Sequence, residues 1–438
     1  MAAIFATVGS LILGISLIQL ANGYIGTLVS IRLAAAHVEP VVTGLVTSGF
    51  FFGYAAGAVL CHRLIYRAGH IRAFAAFSAI VAAGVLGHPL YFSPALWMLL
   101  RVLTGFGCAG LFVATESWLN AKASAATRGN VFAIYMVATY ATFAGSQFVL
   151  NLASPTDFTL FALAAILVCI ALAVVTTTRS DQPVPVPGGR IKAGELAAAA
   201  PVAVAGCFTA GLITGSFYAL VPVYGQSSGR SVFEISWYMA LAILGGLLLQ
   251  VPVGKLSDSF DRRLVAGLVA FAFAGLALAV GPAAGTRSFF ALWLLLGGFM
   301  SVIYPVCVAH ANDRMPAERA IAVSGRLILI SGIGSAVGPL LGSSVMEAFG
   351  IRGLFSYLAA VAALFALFAL ARGLSVRRSG HKRRRPFLVI QTIFGHDLAH
   401  APEEPRPAAL APDVARGQAQ PTDGGTLSAA EGSSEPKG

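Results

Sequence analysis

The chain contains a series of apolar runs, each about 20 residues long, between residues 4 and 372. A run of about this length forms a helix that crosses the roughly 30 Å hydrocarbon core of a membrane. Only 11% of the residues are charged, whereas soluble domains carry about 25%. The pattern therefore predicts an all-α membrane protein with twelve transmembrane helices. These predicted spans are centred near Gln19, Gly53, Ala83, Gly107, Tyr140, Val168, Leu212, Gly245, Ala274, Phe299, Gly334 and Val361.

The net charge of +11 is distributed unevenly between alternate loops. With the N-terminus inside, the cytoplasmic loops and the start of the tail carry twenty Lys and Arg residues. The external loops carry only four, which are Arg32, Arg230, Arg287 and Arg352. This bias follows the positive-inside rule and predicts that both termini are cytoplasmic. It also accounts for the basic charge without a nucleic-acid partner.

A polar stretch rich in Pro and Gly separates the first six predicted spans from the last six. Basic turns follow the second and eighth spans, so the two halves resemble each other. Repeated halves joined by a cytoplasmic linker are typical of transporters. The predicted organisation is an N-terminal bundle (1–178), a linker (179–198), a C-terminal bundle (199–373) and a basic, then disordered, cytoplasmic tail (374–438).

Arg101 lies inside one of the apolar stretches, Ala95 to Leu119. A guanidinium at this depth costs about 2.5–3.5 kcal/mol on insertion scales, so we expect it to face the protein interior or a watery cavity. Small residues at Gly105, Gly107 and Ala109 would let another helix approach the same turn closely. The sequence therefore predicts a polar pathway through the membrane.

Two motifs resemble the major facilitator superfamily. The loop from Gly254 to Arg263 resembles the G-x-x-x-D-x-x-G-R-R signature of that family, and Arg101 to Ala109 resembles its fourth-helix signature, R-x-x-x-G-x-G-x-A. The resemblance covers residues 4–372 and implies two pseudo-symmetric six-helix bundles. More narrowly, Glu116-Ser117 and Tyr304-Pro305 look like blocks of the YcaD-type branch.

The signature loop predicts a conformational latch. A carboxylate at a helix end followed by paired arginines can bond to a neighbouring helix terminus, and we expect these bonds to form in one conformation and break in another. The copy after the second span has Tyr66 where the family has Asp, and the copy after the eighth has Asp261 where the family has Gly. The predicted latch residues are Gly254, Asp258, Arg262, Arg263, Arg128, Gly69 and Arg72.

In the family, the first, fourth, seventh and tenth helices line a central cavity, and the resemblance implies a substrate site there. Gln19 and Asn22 share one helix face, and buried amides need partners. Isolated Ser, Thr and Tyr side chains are alternatively explained by helix packing. The predicted substrate contacts are Gln19, Asn22, Tyr24, Arg101, Tyr218, Tyr304 and His310.

Glu116 is the most deeply placed carboxylate in the sequence. A carboxyl group desolvated in a membrane helix can exchange protons near neutrality, so Glu116 is a candidate for proton coupling, with Arg101 tuning the field. The two cannot pair, because fifteen residues at about 1.5 Å per residue separate them by about 22 Å. A structural ion pair between Glu116 and the basic loop at Lys122 and Arg128 is the alternative.

The resulting hypothesis is a secondary active transporter of the bacterial inner membrane that moves a small organic solute by rocking two bundles. The coupling ion, a proton or another, and the direction of transport stay open. We expect a monomer in the bilayer, with no metal and no cofactor. The alternatives are a solute sensor that does not transport and an integral-membrane transferase. The transferase is disfavoured because the external loops contain few acid or base residues.

Overall fold

A computed structural model describes residues 2–123, 127–177, 191–280, 289–316 and 319–375. The side chains of residues 2–7, 128, 321 and 375 lie outside this description. Within it the chain forms thirteen α-helices. They are α1 (Ala2–Ala35), α2 (Pro40–Ala68), α3 (His70–Gly87), α4 (Pro94–Lys122), α5 (Arg128–Ser146), α6 (Thr159–Thr176), α7 (Ala193–Ala199), α8 (Pro201–Ser227), α9 (Val232–Ser259), α10 (Arg262–Val280), α11 (Phe289–Arg314), α12 (Ala320–Phe349) and α13 (Gly353–Ser375).

Twelve of the described helices are long and apolar enough to cross a membrane. They coincide with the twelve predicted spans, so the prediction of an all-α membrane protein is confirmed. We call α1–α6 the N-half and α8–α13 the C-half. The short helix α7 lies in the predicted linker. Most of that linker and nearly all of the predicted tail fall on residues 178–190 and 376–438, which lie outside the described residues.

Local sequence signals determine where several helices begin. At the start of α9, the backbone N–H of Glu234 donates to Ser231 Oγ at 3.2 Å, and the N–H of Ser231 donates to Glu234 Oε2 at 2.9 Å. This reciprocal pair is a capping box, which satisfies two of the N–H groups that a helix start leaves free. Proline occupies the first position of α2, α4 and α8, where its missing N–H is tolerated.

The same close helix packing recurs in the two halves. A Cβ atom added to Gly105 of α4 would overlap the carbonyl oxygen of Phe50 in α2. In the C-half, a Cβ on Gly297 of α11 would overlap the carbonyl oxygen of Ala242 in α9. Glycine lets two helix backbones approach to this distance. The close approach predicted at Gly105 is therefore present, and its counterpart in α9 and α11 reflects the repeated halves.

The two halves contact each other along α2 and α12, α1 and α8, and α5 and α9. At the end of the bundle opposite α7, which we call the far end, Asn151 Nδ2 donates to Ser236 Oγ at 3.1 Å. Ser236 Oγ in turn donates to the carbonyl oxygen of Gln147 at 2.7 Å. The rings of Phe148 and Trp237 pack edge to face beside them, with centroids 4.9 Å apart. These contacts join the N-half to the C-half at the far end.

The described part of the linker is held against α12. Arg326 donates from Nε and Nη2 to the carbonyl oxygen of Ile191, at 3.1 and 2.7 Å. About two helical turns earlier, Arg319 forms an ion pair with Glu195 of α7. Side-chain bonds therefore attach the linker to α12, the helix that also packs against α2 of the N-half.

Candidate functional site

Two neighbouring cavities lie between the halves. The first has a volume of about 620 Å³, including space open to solvent, and is lined by α2, α8, α11 and α12. The second has about 410 Å³ on the same basis and is lined by α1, α2, α4, α5 and α8. Phe51 and Tyr218 belong to both linings. Concave sites of this size that mix apolar and polar groups are typical of small-molecule binding.

Arg101 carries the charge of the second cavity. Its side chain is only 4% exposed, and its guanidinium carbon lies 4.4 Å from the centroid of the Phe50 ring, a cation–π contact. Neither Nε nor Nη1 has a hydrogen-bond partner among the described residues. None of the ion pairs in the described part of the chain includes Arg101. A buried guanidinium thus faces the cavity with a ring, and not a carboxylate, as its neighbour.

Glu116 lies behind the wall of the first cavity. It is 3% exposed and accepts a hydrogen bond from Tyr135 Oη at 2.8 Å. Tyr54, which lines the first cavity, is close enough to interact electrostatically with both Glu116 and Tyr304. Glu116 is therefore hydrogen-bonded to one tyrosine and lies within electrostatic range of another that lines the first cavity.

The alternative interpretation of Glu116 required a cationic partner. No ion pair between Glu116 and Lys122 occurs among the described residues, and the side chain of Arg128 lies outside the description. The hydrogen-bond partner of Glu116 is a tyrosine of α5. The structure thus gives no support to a pair with Lys122.

Four of the predicted substrate contacts lie in the cavity walls. Asn22 and Arg101 line the second cavity, Tyr304 lines the first, and Tyr218 lines both. The structure therefore brings these residues together, although their binding role stays a prediction.

The other three predicted contacts lie outside these linings. Tyr24 donates to the carbonyl oxygen of Leu160 at 2.6 Å and so links α1 to α6. Gln19 is fully buried, and neither of its amide atoms has a hydrogen-bond partner among the described residues. His310 interacts electrostatically with Asp261 and Arg263, at the end of the bundle near α7. In this conformation these three side chains are not positioned to contact a solute in either cavity.

Sequence reasoning missed three helices of the site. Because the resemblance directed attention to the first, fourth, seventh and tenth spans, the lining residues of α2, α5 and α12 were not among the predictions. Phe51 of α2 lines both cavities, and Ser331, Gly332 and Ser335 of α12 line the first. A stripe of small residues one turn apart in an apolar helix was the signal that could have identified α12.

Arg262 connects the ends of three helices at the predicted latch. It is 2% exposed, and its Nε donates to Asp313 Oδ2 of α11 at 2.8 Å. Its Nη2 donates to Asp258 Oδ1 at 2.9 Å and its Nη1 to Ser257 Oγ at 3.1 Å, both in α9. These are charge-assisted bonds of the kind predicted. Whether they break in another conformation stays a prediction.

Asp261, which departs from the family signature, caps α10. Its Oδ1 accepts the backbone N–H of Arg263 at 2.9 Å, and its Oδ2 accepts from Arg263 Nη2 at 2.7 Å. Burial opposes ionisation of this carboxyl group, but the hydrogen bonds and charge of Arg263 outweigh it and lower the pKa of Asp261 to about 2. The replacement of glycine here therefore supplies a charged N-cap.

The corresponding turn in the N-half lacks such a network. Gly69 joins α2 to α3 with φ 81° and ψ 166°, a conformation essentially restricted to glycine. Arg72 is exposed and takes part in none of the ion pairs found among the described residues. The N-half copy thus keeps the turn of the signature without its ionic contacts. The described residues also contain no group of three His, Cys, Asp or Glu side chains that could hold a metal ion.

Twelve spanning helices in two repeated halves, with cavities between them, define a membrane transporter of solutes. The chain belongs to the Major Facilitator Superfamily, whose family model matches residues 11–231 and 225–412. The chain is therefore a transporter and not an enzyme, as predicted.

Relatives of similar length support this assignment. The chain is 31% identical over 373 residues to an uncharacterised MFS-type transporter of Enterobacter sp. (strain 638), covering 83% of this chain and 94% of the relative. It is 30% identical over 364 residues to the MFS-type transporter YcaD of Escherichia fergusonii, covering 82% and 94%. The predicted resemblance to the YcaD-type branch is confirmed.

Solved structures of transporters share the fold. A bacterial homologue of the human lysosomal transporter Spinster, in an inward-facing and unoccupied conformation, gives a TM-score of 0.70 at 16% identity, covering 86% of this chain and 99% of that one. The nucleoside transporter NupG gives 0.65 at 14% identity, covering 86% and 98%. The D-xylose–proton symporter gives 0.62 at 15% identity, covering 84% and 96%. At these identities the likeness concerns the fold alone.

Proposed function

We propose that the chain is a secondary active transporter that moves a small organic solute across the bacterial inner membrane by alternating access. The observation that carries this proposal is the pair of cavities lined by both halves at mid-length of the helices, where transporters of this architecture bind their solutes. The charge bias of the loops supports a cytoplasmic location of both termini and of α7. The protein acts as a monomer in the bilayer.

The movement that this function requires is a rocking of the two halves. The contacts of Asn151 and Phe148 with the start of α9 close the far end. These contacts break when the cavities open at the far end. α2 and α12 also pack against each other across the two halves toward this far end, around Gly44 and Ser343. The bonds of Arg262 hold α9, α10 and α11 together so that the C-half moves as one body.

Proton coupling through Glu116 is the second part of the proposal. A buried carboxylate that accepts a bond from Tyr135 and interacts with a cavity-lining tyrosine can exchange its proton when the cavity is open. Its charge then changes with the state of the transporter, which links the proton gradient to the movement of the solute.

The test is solute flux in vesicles that contain the purified full-length chain, with and without an imposed pH gradient. We expect Glu116→Gln to bind the solute but to lose the stimulation that the gradient gives to the unaltered protein. The matched control is Glu39→Gln, which alters an exposed carboxylate and should keep that stimulation. A Glu116→Gln protein that still responds fully to the gradient contradicts the coupling role, whereas flux without the gradient tests transport itself.

A further inference from the structure

We infer that the solute is a small organic monocarboxylate with an apolar body, and that its carboxylate binds Arg101. This inference rests on the proposed transport function and adds the chemical class of the solute. It starts from the guanidinium of Arg101, which is 96% buried and lines the second cavity. Two of its nitrogen atoms, Nε and Nη1, have no hydrogen-bond partner among the described residues.

A buried positive charge without a carboxylate partner is expensive, because its desolvation is not repaid by an ion pair. The ring of Phe50 at 4.4 Å recovers only part of that cost. An anionic solute that enters the second cavity would supply the missing partner. The planar guanidinium matches the two oxygen atoms of a carboxylate in a bidentate arrangement.

The other charged groups around Arg101 do not offset its charge. Arg32 of α1 lies against the rings of Trp97 and Phe161, at 5.6 and 5.4 Å from their centroids. His88 interacts electrostatically with both Arg32 and Arg101, so the two arginines lie on the same side of the N-half. Among the described residues, Asp157 is the carboxylate that interacts with Arg32, and Glu116 lies about 22 Å away along α4. The field in this part of the cavity is therefore positive and attracts anions.

The remainder of the second cavity indicates the rest of the solute. Phe51, Phe143 and Tyr218 present rings to it, and the rings of Phe143 and Tyr218 lie 5.6 Å apart. Asn22 supplies a polar group. A single guanidinium neutralises a single negative charge, which favours a monocarboxylate over a phosphate dianion. The aromatic walls favour an apolar or aromatic body.

The experiment compares acids with their neutral amide isosteres on the purified full-length chain. The probes are benzoate against benzamide and phenylacetate against phenylacetamide, which differ in charge but hardly in shape. We expect the acids to raise the melting temperature of the protein and to bind roughly tenfold or more tightly than the amides, since a charge-assisted bond is stronger than a neutral one. Arg101→Gln should remove this preference, and Arg101→Lys should retain part of it.

A second variant keeps the charge and tests the geometry. A Cβ atom on Gly26 would lie 3.7 Å from Arg101 Nη2, an ordinary contact, with no other atom within 4 Å. The Gly26→Ala protein should therefore fold normally. Its added methyl group should crowd the carboxylate of the solute, so acid binding should weaken more than amide binding. Gly9→Ala, on the same helix with nothing within 4 Å, is the matched control and should leave both unchanged.

Three results overturn the inference: acids and amides that bind equally, an acid preference that survives Arg101→Gln, or no stabilisation by any of the acids. Flux measurements on the same probes separate this failure from failure of the proposed function. If vesicles containing the protein take up the amides but not the acids, the transport proposal stands and the monocarboxylate class is excluded. If the acids bind through Arg101 but are not transported, the transport proposal is excluded and the anion-binding site at Arg101 stands.

Discussion

At the residue scale, the buried charges of the two halves are stabilised in different ways. In the N-half, Arg101 lies over an aromatic ring and Glu116 accepts a bond from a tyrosine hydroxyl. In the C-half, Arg262 binds two carboxylates and a serine at once. Fully paired charges rigidify a structure, whereas charges with spare bonding capacity are free to bind a ligand or a proton. The N-half therefore supplies the chemistry of the proposed site, and the C-half supplies a stable frame.

Asp261 provides a prediction for the pH dependence of stability. Its pKa is about 2 in the folded protein and about 3.9 in an unfolded chain, so folding favours the ionised form. This stabilisation is essentially complete above about pH 4.5 and is lost as the pH falls towards 2. Asp261→Asn should therefore melt at a lower temperature than the unaltered protein, by a margin that is constant from pH 7 to about pH 4.5 and shrinks below that.

The measurement is the melting temperature of both proteins in detergent across this range. Glu39→Gln, which alters an exposed carboxylate, serves as the control. A margin that widens on acidification would contradict the assignment of the charged cap.

The positions of single residues show how much of the candidate site could be predicted from the sequence. Gln19, Asn22 and Tyr24 lie within two turns of one helix, and the sequence treats them alike. In the structure Asn22 reaches the second cavity, whereas Tyr24 bonds to α6. The helical repeat determines which residues share a face, but the neighbour that covers each face is decided by tertiary packing, which the sequence of one helix does not contain.

At the scale of helices, α4 and α11 are equivalent elements of the two halves, and each approaches a neighbour through a glycine. Gly297→Ala would place a methyl group on the backbone of α9 at Ala242, and overpacking of this kind costs roughly 1–3 kcal/mol. We expect a clear fall in melting temperature. Gly275→Ala in α10 meets no atom within 4 Å and should be neutral, or stabilising by up to about 1 kcal/mol. Equal effects of the two substitutions would show that α9 and α11 are not packed in this way.

The helices themselves were largely predictable because the thickness of the bilayer determines their length. The short helix α7 was not, since seven residues carry too weak a periodic signal. It is held by bonds from residues more than a hundred positions away, such as Arg319 to Glu195. Elements that depend on the membrane alone can be read from composition, and elements that depend on distant contacts cannot.

At the scale of the whole molecule, the proposed function requires the far end to open. In this structure the N-half and the C-half are joined there by Asn151 and Ser236, whose side chains are in hydrogen-bond contact at 3.1 Å. A covalent link at this point would hold the cavities closed on that side. Access would then be limited to the end near α7, and a complete transport cycle would be blocked.

The prediction uses the double variant Asn151→Cys with Ser236→Cys in a background that also carries Cys169→Ser, because Cys169 is the exposed cysteine of the described residues. Oxidation should link the two halves and abolish flux, and a reductant should restore it. The single variant Asn151→Cys in the same background should keep its flux under both conditions. If the linked protein still carries solute at the full rate, the halves do not separate at this point, and the solute must cross by a path that leaves the contact between Asn151 and Ser236 closed.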